Sequence, residues 1–144
     1  MLQRIRRQCE GGGLLVGVDR VKSRQVLEPA YDDALHLTAA FNLNLLRHVN
    51  DLLGSDFDVG DWRHVALFNS EQSRIEMHLQ AQHPVTVCWP GGERHFAAGE
   101  RIHTENSYKF TPQAFTDLLH SAGYHGIEHW SDARGWFSVF SARA

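Results

Sequence analysis

The sequence predicts an α/β fold, namely the end of a doubly wound α/β domain that carries an inserted α+β lobe. Three patterns favour this fold. Residues 14–19 form a short apolar run, typical of a strand buried on both faces of a parallel sheet. A long helical pattern covers residues 32–53, and apolar and polar residues then alternate in short segments from 64 to 110, which indicates antiparallel strands. The 144 residues are enough for one domain with a substantial core.

The first third of the chain is predicted to be mainly helical. Residues 2–9 have the spacing of the last turns of a helix. The glycines at 11–13 precede a strand, whereas phosphate-binding loops follow one, so they indicate a turn. A second helix begins near Arg24 and is expected to bend or break at Pro29. A third begins at Asp32 or Asp33 and ends at Gly54. Its predicted buried stripe consists of Leu35, Thr38, Ala39, Leu45, Leu46, Val49, Leu52 and Leu53.

The middle of the chain is predicted to form an antiparallel meander, because its strands are joined by short connections. The predicted strands cover residues 64–69, 73–80, 85–89, 94–97 and 101–110. In the last of these, alternation places four polar side chains on one face: His103, Glu105, Ser107 and Lys109. This polar stripe is either a solvated strand face or a surface that grips a small ligand bearing a cation or an N–H group.

The final part of the chain carries clear helix and hairpin signals. Thr111 is a typical N-cap, and Pro112 suits the first turn of a helix over 113–121. Residues 124–130 and 136–142 are predicted strands around a hairpin turn at 132–135.

Composition narrows the classes of function. The net charge of −3 argues against a surface for nucleic acids, which need a basic face. The sequence has no run of about 18 apolar residues, so no membrane span is predicted. The first residues lack the apolar stretch of a secretory signal. Cys9 and Cys88 form no paired motif, so we expect a reduced, cytoplasmic protein.

The sequence contains no conventional catalytic or metal-binding motif. His125 and His129 are four residues apart, but they lie in a predicted strand, where this spacing does not align two ligands. We therefore predict no metal site. The nucleophile motif G-x-S-x-G and the dinucleotide motif G-x-G-x-x-G are both absent. No catalytic residue is assigned.

A series of short segments, taken in order, resembles a known family. The segments are DRVK (19–22), YDDA (31–34), LTAAFN (37–42), HVA (64–66), SRIEMHL (73–79), FAAGE (96–100) and TENSYKF (104–110). They are similar to the C-terminal half of the histidine-specific methyltransferases that use S-adenosylmethionine (SAM), a family with a member on the ergothioneine pathway. The resemblance implies the C-terminal part of a Rossmann-like class I methyltransferase with an inserted antiparallel substrate-binding lobe. It implies the end of the Rossmann-like core at 1–30, the lobe at 31–110, and a closing helix and hairpin at 111–144.

The resemblance also implies an amino-acid pocket. In the family, the positions matching Tyr31, Met77, Glu105 and Ser107 line that pocket. The tyrosine helps to hold the α-carboxylate, the glutamate and serine bond the imidazole nitrogens, and the methionine packs beside the ring. SAM is the implied methyl donor. Its binding residues lie upstream of residue 14 in the family, so none is assigned here.

Two hypotheses about function remain open at this point. The chain is either part of a methyltransferase whose SAM-binding half is supplied separately, or a non-catalytic module that binds an amino acid or a partner. In either case the apolar strand at 14–18 needs a neighbour, which would be an N-terminal half or a second copy of the chain. Histidine is the implied substrate, although indole-type substrates occur among relatives.

Overall fold

The computed structural model describes residues 1–9 and 11–144, which combine helices with antiparallel strands, as the sequence predicts for an α+β arrangement. The helices are α1 (Leu2–Gln8), α2 (Arg24–Tyr31), α3 (Leu37–Leu53) and α4 (Pro112–Ser121). The strands are β1 (Gly13–Asp19), β2 (Trp62–Asn69), β3 (Arg74–Ala81), β4 (Val85–Trp89), β5 (Gly92–Phe96), β6 (Arg101–Tyr108), β7 (His125–Ser131) and β8 (Phe137–Arg143). The chain divides into two compact units, residues 1–22 with 108–144 and residues 23–107. The predicted domain boundaries at 30 and 110 stay a prediction.

The first unit is built on a three-stranded sheet in the order β1-β8-β7. Strand β8 is antiparallel to both neighbours, so β1 and β7 run in the same direction. Helix α4 begins at the predicted cap, where the Thr111 side chain accepts a hydrogen bond from the Ala114 N–H. Its apolar face buries Phe115 and Leu119 against Val18 of β1 and Phe140 of β8, and this cluster is the core of the unit.

The prediction that β1 is a parallel strand buried on both faces is wrong for the described residues. Strand β1 pairs antiparallel with β8, and only one of its faces joins the core. On the other face Leu15 is 73% exposed, and a Cβ at Gly17 would lie only 2.5 Å from the Phe137 ring. The apolar run shows that β1 has two apolar faces, but a run alone does not reveal the direction of its neighbour.

A buried ion pair stabilises the first unit. The Lys109 side chain is fully buried, and its Nζ lies 2.9 Å from Oδ2 of Asp19, the last residue of β1. Lys22 donates a second hydrogen bond to the same carboxylate, through Oδ1. Although burial by itself would raise the pKa of Asp19, the two ammonium groups outweigh it and hold that pKa below its usual value. Because β6 ends at Tyr108, Lys109 lies beyond this strand and is not part of the predicted polar stripe.

The second unit does not contain the predicted five-stranded meander. Its sheet has the order β2-β3-β6, while β4 and β5 form a separate hairpin. The chain leaves β3 at Ala81 and later returns beside the same residue. There the Ala81 N–H donates to the carbonyl oxygen of Glu100, and the Gly99 N–H donates to the carbonyl oxygen of Ala81. This return brings β6 next to β3, which short loop lengths alone cannot reveal.

The two helices of the second unit also differ from their predicted limits. Helix α2 continues through Pro29 to Tyr31 rather than breaking there. Helix α3 begins at Leu37, because Asp33 caps it from outside and its carboxylate accepts hydrogen bonds from the N–H groups of Leu37 and Thr38.

The buried stripe predicted for α3 is only partly right. Its buried residues are Ala39, Asn42 and Leu46, whereas Leu52 is 82% exposed. Leu46 packs with Trp62, Leu79 and Phe96 in the main apolar cluster of the second unit. No helix in the described parts of the chain is long and apolar enough to cross a membrane.

Replacing Asp19 with Asn is expected to destabilise the chain by about 2–4 kcal/mol, because Lys109 is then buried without its carboxylate partner. Urea unfolding measures this change. Replacing the exposed Asp117 with Asn is the control, since that carboxylate bonds only the exposed Gln113 amide among the contacts described. Equal changes in the two variants would contradict a stabilising role for the Asp19 pair.

The depressed pKa of Asp19 also sets a dependence on pH. Its stabilising effect is complete above the unfolded-state pKa, near 4, and is lost as the pH falls through the lower folded-state pKa. Unfolding measured across this acid range should therefore show a steeper loss of stability in the wild type than in Asp19→Asn. Parallel curves would contradict this linkage.

Candidate functional site

The second unit brings Tyr31 and Ser107 together, although they are 76 residues apart in the sequence. Tyr31 is the last residue of α2, and its hydroxyl lies 2.7 Å from Oγ of Ser107 near the end of β6. Two hydroxyl groups at this distance are joined by one hydrogen bond, in which either oxygen can be the donor. Two of the four residues predicted to line the amino-acid pocket are therefore direct neighbours.

The backbone of Tyr31 is held by a buried pair, Asn42 on α3 and His64 on β2. Nδ2 of Asn42 lies 2.9 Å from Nδ1 of His64 and 3.2 Å from the carbonyl oxygen of His78. A carbonyl oxygen only accepts, so this amide nitrogen is a donor and Nδ1 of His64 must accept. The ring proton is then on Nε2, which donates to the Tyr31 carbonyl at 2.8 Å. The pair thus fixes the end of α2 from which the Tyr31 side chain projects.

Met77 lies in the same region as Tyr31. It is 4% exposed in the middle of β3 and forms an apolar cluster with Leu27 and Ile75, against which Tyr31 packs. Its backbone carbonyl accepts a hydrogen bond of 2.9 Å from the Thr104 hydroxyl on β6. Met77 therefore has the core position that a mid-strand methionine usually has, and it also supports the ring of Tyr31.

Glu105 is the predicted pocket residue that the structure leaves most open. Its side chain is exposed on β6, and its backbone carbonyl accepts a hydrogen bond of 3.2 Å from Nε2 of His103. Tyr31, Ser107 and Met77 are thus joined through contacts, whereas among the contacts described none joins the Glu105 side chain to them. The roles of all four residues toward a substrate stay a prediction.

His103 belongs to the predicted polar stripe, and Asn42, His64 and His78 lie inside three of the family-like segments, but none of the four is assigned a role from the sequence. Asn42 lies on the buried face of α3, and a polar residue among apolar ones in a helix stripe is the signal that could have drawn attention to it. His64 and His78 alternate with apolar residues along their strands, which looks the same as a solvated strand face. Their contacts depend on strand pairing between distant segments, which the sequence does not reveal.

The family to which the chain belongs follows from comparison with known proteins. The model of a family described as "Histidine-specific methyltransferase, SAM-dependent" matches residues 1–144. The chain therefore belongs to this family, as the order of its motifs predicts.

The most similar relatives include two bacterial enzymes with the same name. The histidine N-alpha-methyltransferase of Mycolicibacterium smegmatis is 46% identical over 132 residues, which are 90% of this chain and 41% of the relative. That of Mycobacterium tuberculosis is 44% identical over 131 residues, with the same coverage. A more distant relative, the L-tryptophan methyltransferase of Psilocybe serbica, is 29% identical over 139 residues. The chain spans about two fifths of the length of the bacterial relatives and corresponds to their C-terminal part.

Replacing Asn42 with Asp is expected to destabilise the chain by about 1–3 kcal/mol or more, because a buried acceptor then faces the carbonyl oxygen of His78. Asn44→Asp is the matched control, since it makes the same change of charge two residues along α3 at a less buried position. Urea unfolding of both variants measures the difference. A loss no larger in Asn42→Asp than in Asn44→Asp would contradict the bonding assigned to the buried pair.

Proposed function

We propose that this chain is the amino-acid-binding part of a SAM-dependent methyltransferase that acts on the α-amino group of histidine or a related amino acid. The observation that carries the proposal is the hydrogen bond between Tyr31 and Ser107, which joins two predicted pocket residues across 76 positions of sequence. Membership of the histidine-specific family and the activity named for the bacterial relatives support this proposal.

The exposed carboxylate of Glu105 and the hydroxyl of Ser107 suit an imidazole ring. Imidazole offers one N–H donor and one acceptor in its neutral form and two donors when protonated. A carboxylate accepts from an N–H group, while a serine hydroxyl donates or accepts as required. We assign the α-carboxylate of the same ligand to the hydroxyl of Tyr31, which lies beside Ser107.

The proposed reaction needs positioning more than acid–base chemistry. A methyl group passes from the sulfonium of SAM to a neutral amine in a single displacement, and SAM leaves as the thioether. Holding the two reactants in line supplies most of the rate enhancement in such a step. The residues of this chain would fix the amine and keep water away, which agrees with the absence of a conventional catalytic motif.

The sheet of the first unit fits the end of a Rossmann-like sheet. Strand β8 runs antiparallel between β1 and β7, which are parallel to each other, and β1 is the terminal strand of the described sheet. We propose that the SAM-binding part of the enzyme adds strands beside β1 and covers the face that carries Leu15. An apolar strand at an open sheet edge is otherwise a site of aggregation.

Calorimetric titration of the chain with histidine and with SAM tests the proposal. We expect histidine to bind and SAM to give no heat. Glu105→Gln should weaken histidine binding about 10- to 100-fold, the equivalent of one hydrogen bond to a charged group. Glu128→Gln, an exposed change on β7, is the control and should leave the affinity unchanged.

Two outcomes would count against the proposal. If histidine does not bind to the folded chain, the proposed amino-acid pocket is ruled out. Tight binding of SAM would show that this chain itself contains a site for SAM. The proposal assigns that site instead to the part of the relatives that the chain does not cover.

A further inference from the structure

Three metal-ligating side chains meet on the sheet of the second unit, where β3 and β6 are neighbours. They are Glu76 and His78 on β3 and His103 on β6. One carboxylate oxygen and one ring nitrogen from each histidine lie within 4.8 Å of one another. By strand alternation, Glu76 and His78 project away from Met77, so this cluster is separate from the apolar packing around Tyr31.

We propose that Glu76, His78 and His103 form a binding site for a divalent transition-metal ion, with Zn²⁺ the best match. Imidazole nitrogen and carboxylate oxygen are common zinc ligands at about 2.0–2.2 Å, so two ligands of a tetrahedral ion are about 3.3–3.4 Å apart. Oε2 of Glu76 lies 3.3 Å from Nε2 of His78, which already has this separation.

The carboxylate of Glu76 is oriented by its other neighbours. Its Oε1 accepts hydrogen bonds from Nε and Nη2 of Arg74, at 2.8 and 2.7 Å, and from Nδ2 of Asn69 at 3.0 Å. These bonds hold the group in place and leave Oε2 directed toward His78. Outer partners of this kind normally orient the ligands of a metal site.

The two imidazole rings are in different environments that complement each other. His78 is 9% exposed, and its Nδ1 is buried without a hydrogen-bond partner in the described structure. The ring of His103 is exposed and stacks on that of His78, with centroids 4.6 Å apart. A cation on Nε2 of His78 would replace the hydrogen bond that this nitrogen makes to Glu76. Because Nε2 of His103 donates to the Glu105 carbonyl, Nδ1 of His103 keeps the electron pair that a cation would accept.

The charges around the cluster limit its affinity. Arg74 beside Glu76 and Arg101 near His78 repel a cation. Three protein ligands leave a coordination position for water. We therefore expect weaker binding than at a closed four-ligand zinc site.

A bound ion would cross-link β3 to β6, the two strands that carry Met77 and Glu105. No metal site is predicted from the sequence, because it has no metal-binding motif and because His125 and His129 lie in a predicted strand. His78 and His103 are 25 residues apart in the sequence. Only the pairing of β3 with β6 brings them together.

Zinc titration of the chelator-treated full chain, followed by calorimetry and by thermal unfolding, tests the site. We expect one Zn²⁺ per chain and a rise in the melting temperature. His103→Ala should weaken binding at least tenfold and abolish the rise, and it removes only an exposed ring. His48→Ala, an exposed histidine on α3, is the matched control and should behave like the wild type.

A second variant, Glu76→Gln, distinguishes this site from binding by scattered surface histidines. It should also lose the zinc-dependent rise in melting temperature, even where its starting stability is lower. Cobalt added in place of zinc should give visible absorption bands of a low-symmetry site in the wild type and in His48→Ala only. Absence of zinc binding in the wild type, or equal binding in His103→Ala, would overturn the proposal.

Discussion

The end of helix α2 is the point on which the candidate site depends. The carbonyl oxygen of Tyr31 accepts from His64, whose tautomer is set by Asn42, and the hydroxyl of the same tyrosine bonds Ser107. One residue is thus held at its backbone by β2 and α3 and at its side chain by β6. Because Asn42 also bonds the carbonyl of His78, the same amide connects the site to β3, the strand that carries Met77. A buried polar network of this kind stabilises a single arrangement when its donors face acceptors.

Local signals in the sequence predicted most of the elements but not their pairing. The cap at Thr111, the turn at 132–135 and the strand β3 depend on neighbouring residues, and all three appear in the structure. The order β2-β3-β6 depends instead on how the chain returns after β5, which involves contacts between distant segments. The buried face of helix α3 was also not fully predictable from its apolar pattern, because several leucines of that pattern are exposed in the described chain.

The candidate site was predictable only in part, and for a related reason. Family resemblance, rather than periodicity, indicated Tyr31, Met77, Glu105 and Ser107. The structure joins Tyr31 and Ser107 by a hydrogen bond across 76 positions of sequence, while the roles of all four residues toward a ligand stay a prediction. The supporting residues Asn42 and His64 lie in the family-like segments 37–42 and 64–66, but nothing in those segments indicates that they bond each other and the Tyr31 carbonyl. The cluster of Glu76, His78 and His103 is likewise a product of strand pairing.

As proposed, this chain supplies the amino-acid site, and the part of the bacterial relatives that it does not cover supplies the site for SAM. Methyl transfer to histidine measures this most directly. The chain is mixed with the portion of the Mycolicibacterium smegmatis relative that it does not cover, and transfer from labelled SAM is followed. The account predicts Nα-methylated histidine from the mixture, none from either part alone, and a large loss with Ser107→Ala. A folded complex that binds both SAM and histidine but transfers no methyl group would contradict it and would favour a non-catalytic binding module.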